Sequence, residues 1–252
     1  MAPPSNNVIR EYHSDDSFQT RFGITPDVTE YQLCLAFATD SGDGKFKAAW
    51  DQNKVKPDVI KKFKEDFAAS NLKVFVSIGG DHPFKVVDVR ADEWVDNAKA
   101  SLGKIIKDNG IDGIDVNYTT IQDEQYMFVN CIKDLITGLK EAQATTGFVA
   151  SLAADAATNE GFYWPLYNAC DKTSIETVVF DFFVDVQPQV TNNPVARLNQ
   201  VKKIVEQYDH KGTKVLLGYR AIKDDDSITG SSSSISPLAF GKKTKIKTGG
   251  LL

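Results

Sequence analysis

The chain has 252 residues, 42% of them hydrophobic and 25% charged. That balance belongs to an ordinary globular protein, and the length suits one α/β barrel or two small domains. No run approaches the roughly 18 apolar residues of a membrane span. The formal net charge is -5, and the short basic pairs Lys61-Lys62 and Lys242-Lys243 do not form a phosphate-tracking stripe, so neither a membrane nor a nucleic acid is an expected partner.

A single domain over residues 1–252 is the simpler organisation. Residues 1–6 lead straight into Val8 and Ile9, without the charged start and apolar stretch of a secretory signal. A cytoplasmic protein is therefore expected. From there, apolar runs of strand length recur at 8–12, 33–38, 72–78, 111–118, 148–153, 178–186 and 215–219. Segments of helical spacing alternate with them. Residues 57–69 open on proline and place Val59, Ile60, Phe63 and Phe67 on one stripe. Residues 91–108 carry Trp94, Val95, Ala98, Leu102, Ile105 and Ile106, and stop at Asn109-Gly110, a left-handed cap. Residues 123–142 and 195–208 repeat the pattern.

Alternating strands and helices define a parallel α/β fold, and the absence of a G-x-G-x-x-G turn after the first strand favours a (β/α)8 TIM barrel over a dinucleotide-binding sheet. The C-terminal end reads as short or incomplete. After Tyr219 comes a polar stretch, then a short helix near Pro237, and only Gly249-Gly250-Leu251-Leu252 is left to begin an eighth strand.

Cys34, Cys131 and Cys170 are widely spaced and read as buried thiols. His13, His82 and His210 lie far apart, and neither a C-x-x-C nor an H-x-x-x-H pair occurs. No metal or other cofactor is expected.

Two segments are specific. One is Lys73-Val74-Phe75-Val76-Ser77-Ile78-Gly79-Gly80, and the other is Asp112-Gly113-Ile114-Asp115-Val116-Asn117-Tyr118-Thr119. They resemble the S-x-G-G of the third strand and the D-G-x-D-x-D-x-E of the fourth strand in glycoside hydrolase family 18. Arg10-Glu11-Tyr12, Ala36-Phe37-Ala38 and residues 46–51 extend the likeness toward the narbonin branch of legume seed proteins and the bulb chitinases. The resemblance runs from about Ile9 to Tyr219 and then lapses.

In the family, the final glutamate of the fourth-strand motif protonates the glycosidic oxygen. The aspartate before it orients the sugar's acetamido group, whose oxygen is the nucleophile. This chain has Thr119 and Asn117 there. Period two places Asp115, Asn117 and Thr119 on one side of the strand, toward the barrel and its mouth. A threonine hydroxyl cannot serve as a general acid near neutral pH, a role usually worth about 10² to 10⁴ in rate. Asn117 can hydrogen-bond an acetamide but brings no negative charge to a developing oxazolinium. Asp112 and Asp115 read as carboxylates that organise the strand. Asp115, Asp181, Asp185 and Glu124 are the acids that could stand in for the missing one.

The resemblance thus implies a catalytically inactive chitinase-like plant protein of narbonin type, held in the cytoplasm or a seed storage compartment. Two alternatives remain. A lectin-like pseudoenzyme would bind N-acetylglucosamine oligomers through Phe37, Ser77, Gly79, Gly80, Asp115, Asn117, Asp181 and Tyr219, with Trp50 and Phe84 also near strand ends. A weak glycosidase would use a displaced acid.

Overall fold

In the computed structural model the described residues are 7–13, 28–143, 147–171, 175–181, 194–208, 213–219 and 238–242. The strands are β1 (Asn7–His13), β2 (Val28–Thr39), β3 (Lys47–Ala48), β4 (Lys73–Gly80), β5 (Gly113–Tyr118), β6 (Val149–Asp155), β7 (Ile175–Asp181), β8 (Lys214–Tyr219) and β9 (Leu238–Lys242). The helices are α1 (Pro57–Asp66), α2 (Ala91–Asn109), α3 (Gln125–Ala142), α4 (Trp164–Ala169) and α5 (Pro194–Tyr208). The apolar runs and helical stripes of the sequence fall on these elements. Of the expected strand 178–186, residues 182–186 lie outside the described set. The two-residue β3 and the helical stretch before and including α4 have no counterpart in the sequence reading.

The long strands are covered on both faces, and in β4 every residue after Lys73 is buried. A barrel wall has this pattern, with helices outside and packed side chains inside. Outside, Leu33, Leu35, Val74, Val76, Ile114 and Val116 share a core with Trp94 and Leu102 of α2 and with Phe128, Ile132 and Leu135 of α3. Inside are two small apolar groups, one of Tyr12, Cys34, Ala36 and Phe75 and one of Val8, Val179 and Leu216. Arg10 stands between Val8 and Tyr12 on the inward row of β1, so the interior also holds a polar layer. Gly113 at the start of β5 is needed for close approach of the next strand, since a Cβ there would lie 1.9 Å from Val149 O.

The ring runs β1–β2–β4–β5–β6–β7–β8–β9 and returns to β1, with β3 attached outside β2. Its first seven strands are parallel, and β9 is antiparallel to both β8 and β1. This corrects two expectations about the tail. Residues 238–242 are a strand, where a helix was expected near Pro237, and closure does not wait for 249–252, which lie outside the described residues. A short apolar run such as Leu238-Ala239-Phe240 has no period that separates helix from strand. Hydrogen-bonding edges on β1 and β8 decide it: Phe240 pairs with Ile9 on one side and Leu217 on the other.

Candidate functional site

The fourth-strand motif of the sequence lies on β5 and its two ends. Asp112 precedes the strand at the amino end of the barrel. It accepts hydrogen bonds from Lys64 Nζ (2.7 Å) and from Val74 N (2.7 Å), tying α1 and β4 to β5. It is far from the mouth and organises the strand start.

Asp115 is fully buried inside the barrel. Its Oδ1 accepts from Arg10 Nη1 at 2.6 Å and from Ser151 Oγ at 2.5 Å, and its Oδ2 accepts from Ser77 Oγ at 2.8 Å. Arg10 Nη1 also lies 2.9 Å from Ser151 Oγ, and Arg10 Nε donates to Gln32 Oε1 at 2.8 Å. The guanidinium sits 4.8 Å above the Phe75 ring. Burial works against the Arg10 charge, but its interactions with Cys34, Asp115 and Tyr12 outweigh that penalty and hold its pKa above the ordinary arginine value. Below this layer, Gln32 Nε2 donates to Glu30 Oε1, and Lys214 Nζ bridges Glu30 Oε2 (2.5 Å) and Glu176 Oε1 (3.0 Å). Lys73 Nζ reaches the same Glu176 oxygen at 2.5 Å. Ser77 and Asp115 therefore belong to one network joining seven strands, β1, β2 and β4 to β8. Sequence reading placed neither Arg10 nor Ser151 in it. The available signal was a charged residue on the inward parity of an apolar strand, between Val8 and Tyr12.

Above Asp115 the row continues with Asn117, half-buried and in register with Gly79. Thr119, one residue beyond the strand, is exposed and donates from Oγ1 to Gly80 O at 3.0 Å. Gly79 and Gly80 both have positive φ, 103° and 65°. Each allows a close approach: a Cβ on Gly79 would lie 2.6 Å from Asn117 O, and one on Gly80 would lie 2.7 Å from the Phe37 ring. Phe37, half-buried after a cis Ala36–Phe37 peptide, thus rests over Gly80, the residue that Thr119 bonds. Ser77, Gly79, Gly80, Asn117, Thr119 and Phe37 are brought together at the carboxyl ends of β2, β4 and β5. That end is where barrel enzymes keep their sites.

Asp181 and Tyr219 end β7 and β8; Asp181 is in register with Asp155 and Gly218. Their side chains, and all of Asp185, lie outside the described set. Glu124 is exposed and occupies the N-cap position of α3. Among described side chains, no carboxylate hydrogen-bonds to Thr119.

Two aromatics proposed near the mouth sit elsewhere. Phe84 is buried and meets Trp94, Tyr118 and Phe128 edge to face at 5.1 to 5.5 Å, and Trp50 is buried in the same outer core. Strand-end position fixed their height in the barrel but not their side, and burial of a large ring against the helices is the stronger pull. Asp155, at the end of β6, was not foreseen. It caps the following turn, accepting from Thr158 N at 2.8 Å and Thr158 Oγ1 at 2.7 Å.

Comparison with known proteins decides the family. The sequence profile described as glycosyl hydrolases family 18 matches residues 12–220. The chain belongs to glycosyl hydrolase family 18. It is 40% identical to a RuBisCO-associated protein of Glycine max over 230 residues, covering 86% of this chain and 80% of that one. It is 34% identical to chitinase 1 of Tulipa saxatilis subsp. bakeri over 193 residues, covering 70% of this chain and 59% of the tulip protein. Among solved structures, the family 18 chitinase of Crocus vernus superposes with a TM-score of 0.70 at 28% identity, over 83% of this chain and 78% of that one. The chain is thus a chitinase-like plant protein on a family 18 barrel. Among the described residues no cluster suited to a metal ion occurs, and no helix is long and apolar enough to cross a membrane.

Proposed function

We propose that this family 18 barrel is catalytically silent and serves, like the narbonin-type proteins it resembles, as a seed or storage protein in the cytoplasm or a storage compartment. One observation carries the reading. At the position of the family's acid stands Thr119, whose hydroxyl bonds the carbonyl of Gly80 at 3.0 Å. That hydroxyl is too weak an acid to serve as the general acid near neutral pH. The RuBisCO-associated protein of Glycine max carries a name that speaks of a protein partner rather than a sugar. A non-enzymic role for this chain agrees with it.

A second reading, a lectin-like barrel that binds N-acetylglucosamine oligomers, draws support from the exposure of Thr119 and the partial exposure of Asn117 and Phe37. These leave the floor of the mouth open to a ligand. Calorimetry with chitooligosaccharides separates the two, because the storage reading expects no heat of binding. A prolonged assay on a chromogenic chitobioside tests silence itself. Turnover by the unmodified chain would overturn the proposal and return a displaced acid, Asp181 or Glu124 first, to consideration.

A further inference from the structure

We propose that the mouth of the barrel seats an amino sugar with a free amine, and that the second carboxylate oxygen of Asp155 receives its ammonium group. The proposal rests on the sugar-binding reading above and narrows it, from N-acetylglucosamine oligomers to glucosamine oligomers.

Asp155 ends β6 at the same end of the barrel as Thr119. It continues the inward row of its strand: Ser151 Oγ donates to Asp115 in the interior, Ala153 packs with Val8, Val179 and Leu216, and Asp155 comes next. The residue is 4% exposed. Its Oδ1 accepts from Thr158 N and Thr158 Oγ1, while its buried Oδ2 has no hydrogen-bond partner. Among the described residues no lysine, arginine or histidine pairs with it.

Capping accounts for the first oxygen and not for the second. Asparagine caps a turn as well as aspartate does, so the cap does not call for a charge. A buried charged acceptor without a partner is costly, and a carboxylate is completed by a donor, most strongly by a cationic one. The surrounding positions point the same way. Of the strand ends at the mouth, His13, Thr39, Gly80, Tyr118, Asp155, Asp181 and Tyr219, those of β6 and β7 are acidic, and they are register partners. Across from them Asn117 and Thr119 bring no charge. Burial of Oδ2 favours a compact group that projects from a sugar ring. An ammonium is such a group and carries the compensating charge; an acetamide is larger, neutral and offers one N–H.

The test is calorimetry of the full chain with the glucosamine disaccharide and with its N-acetylated counterpart, at a pH below neutral. The free amine is expected to bind at least about 10-fold more tightly, the span of a hydrogen bond to a charged group. That preference should disappear as pH rises through about 8, where an amine of the α-amino kind loses its proton. Asp155→Asn keeps an oxygen for the Thr158 cap and should keep the melting point, yet lose the preference. Glu65→Gln, which removes one exposed carboxylate from α1, should retain it. Equal or tighter binding of the N-acetylated sugar overturns the proposal and leaves the sugar-binding reading standing, whereas no binding of either sugar overturns both. A folded Asp155→Asn protein that binds as the parent does, or an equal loss in Glu65→Gln, overturns the assignment to Asp155. Should Asp155→Asn not fold, carboxyl carbon NMR of the parent decides: the Asp155 signal is expected to move on titration with the glucosamine disaccharide, and an unmoved signal sinks the idea.

Discussion

The phenol of Tyr163 closes a two-way clasp on the backbone of Tyr118, accepting from Tyr118 N at 2.6 Å and donating to Tyr118 O at 3.1 Å. It replaces the ladder partner that β5 lacks at its last residue, since pairing with β6 ends at Val116 and Leu152. The strand end that presents Thr119 is thus fixed by a side chain 45 residues away. Tyr163→Phe leaves a buried N–H and a buried carbonyl unpaired, which costs about 1 to 3 kcal/mol. Urea denaturation should show that loss with an unchanged m-value, and a variant as stable as the parent would mean that water or neighbouring backbone takes over the clasp.

Removing Arg10 alone is expected to be more damaging. Arg10→Met takes away the cationic partner of the buried Asp115 carboxyl group, and breaking a buried pair from one side typically costs about 3 to 5 kcal/mol. Adding Asp115→Asn should recover much of that loss, because neither position then carries an ionisable group. Thermal denaturation of the two single variants and the double one measures the coupling.

Thr119→Glu should leave stability within about 0.5 kcal/mol of the parent, the usual span for surface positions. Thr119 is exposed, so a longer side chain extends into the mouth without overpacking, and only the bond to Gly80 O is lost. A large destabilisation would show that the mouth above β5 is filled.

The thiols should be silent to an exposed reagent. Cys34, Cys131 and Cys170 are buried and form no disulfide. Burial, with Asp123 and Asp134 nearby, pushes the Cys131 thiol up to about 12, and reactivity belongs to the thiolate. Native protein at pH 8 should show no fast reaction with a disulfide reagent, while unfolding in urea should release all three thiols.

Acid sensitivity should trace to the foot of the barrel. Burial works to raise the Glu176 pKa, but hydrogen bonds from Lys73 and Lys214 outweigh it and hold the value below the ordinary 4.5. Its stabilisation is therefore present above the unfolded pKa and lost as pH falls through the lower folded one. Lys214, raised above its ordinary 10.5 by Glu30 and Glu176 against the pull of burial, stabilises below that value and loses its contribution as pH climbs past it. Glu176→Gln should flatten the fall in urea midpoint between about pH 5 and pH 3. An acid limb parallel to that of the parent would refute the assignment.

Sequence by itself determined the parallel strands, the helices laid over them and the row Asp115, Asn117, Thr119, because each is written in local period: two along a strand, three to four along a helix, with Asn109-Gly110 as a stop. It also showed that the acid position holds Thr119, since identity at a motif position needs no coordinates. Only the tertiary structure decided what that row faces. Arg10 and Asp115 are 105 residues apart, and parity could place each inside the barrel but could not bring them to the same height, which depends on the stagger of neighbouring strands. The same holds for β9, oriented by two open edges rather than by its own composition, and for Phe84 and Trp50, drawn into the helix layer. Local patterns are set by each residue's immediate neighbours in the chain, whereas register and closure are set by hydrogen-bonding edges and packing volumes that exist only once the ring has formed.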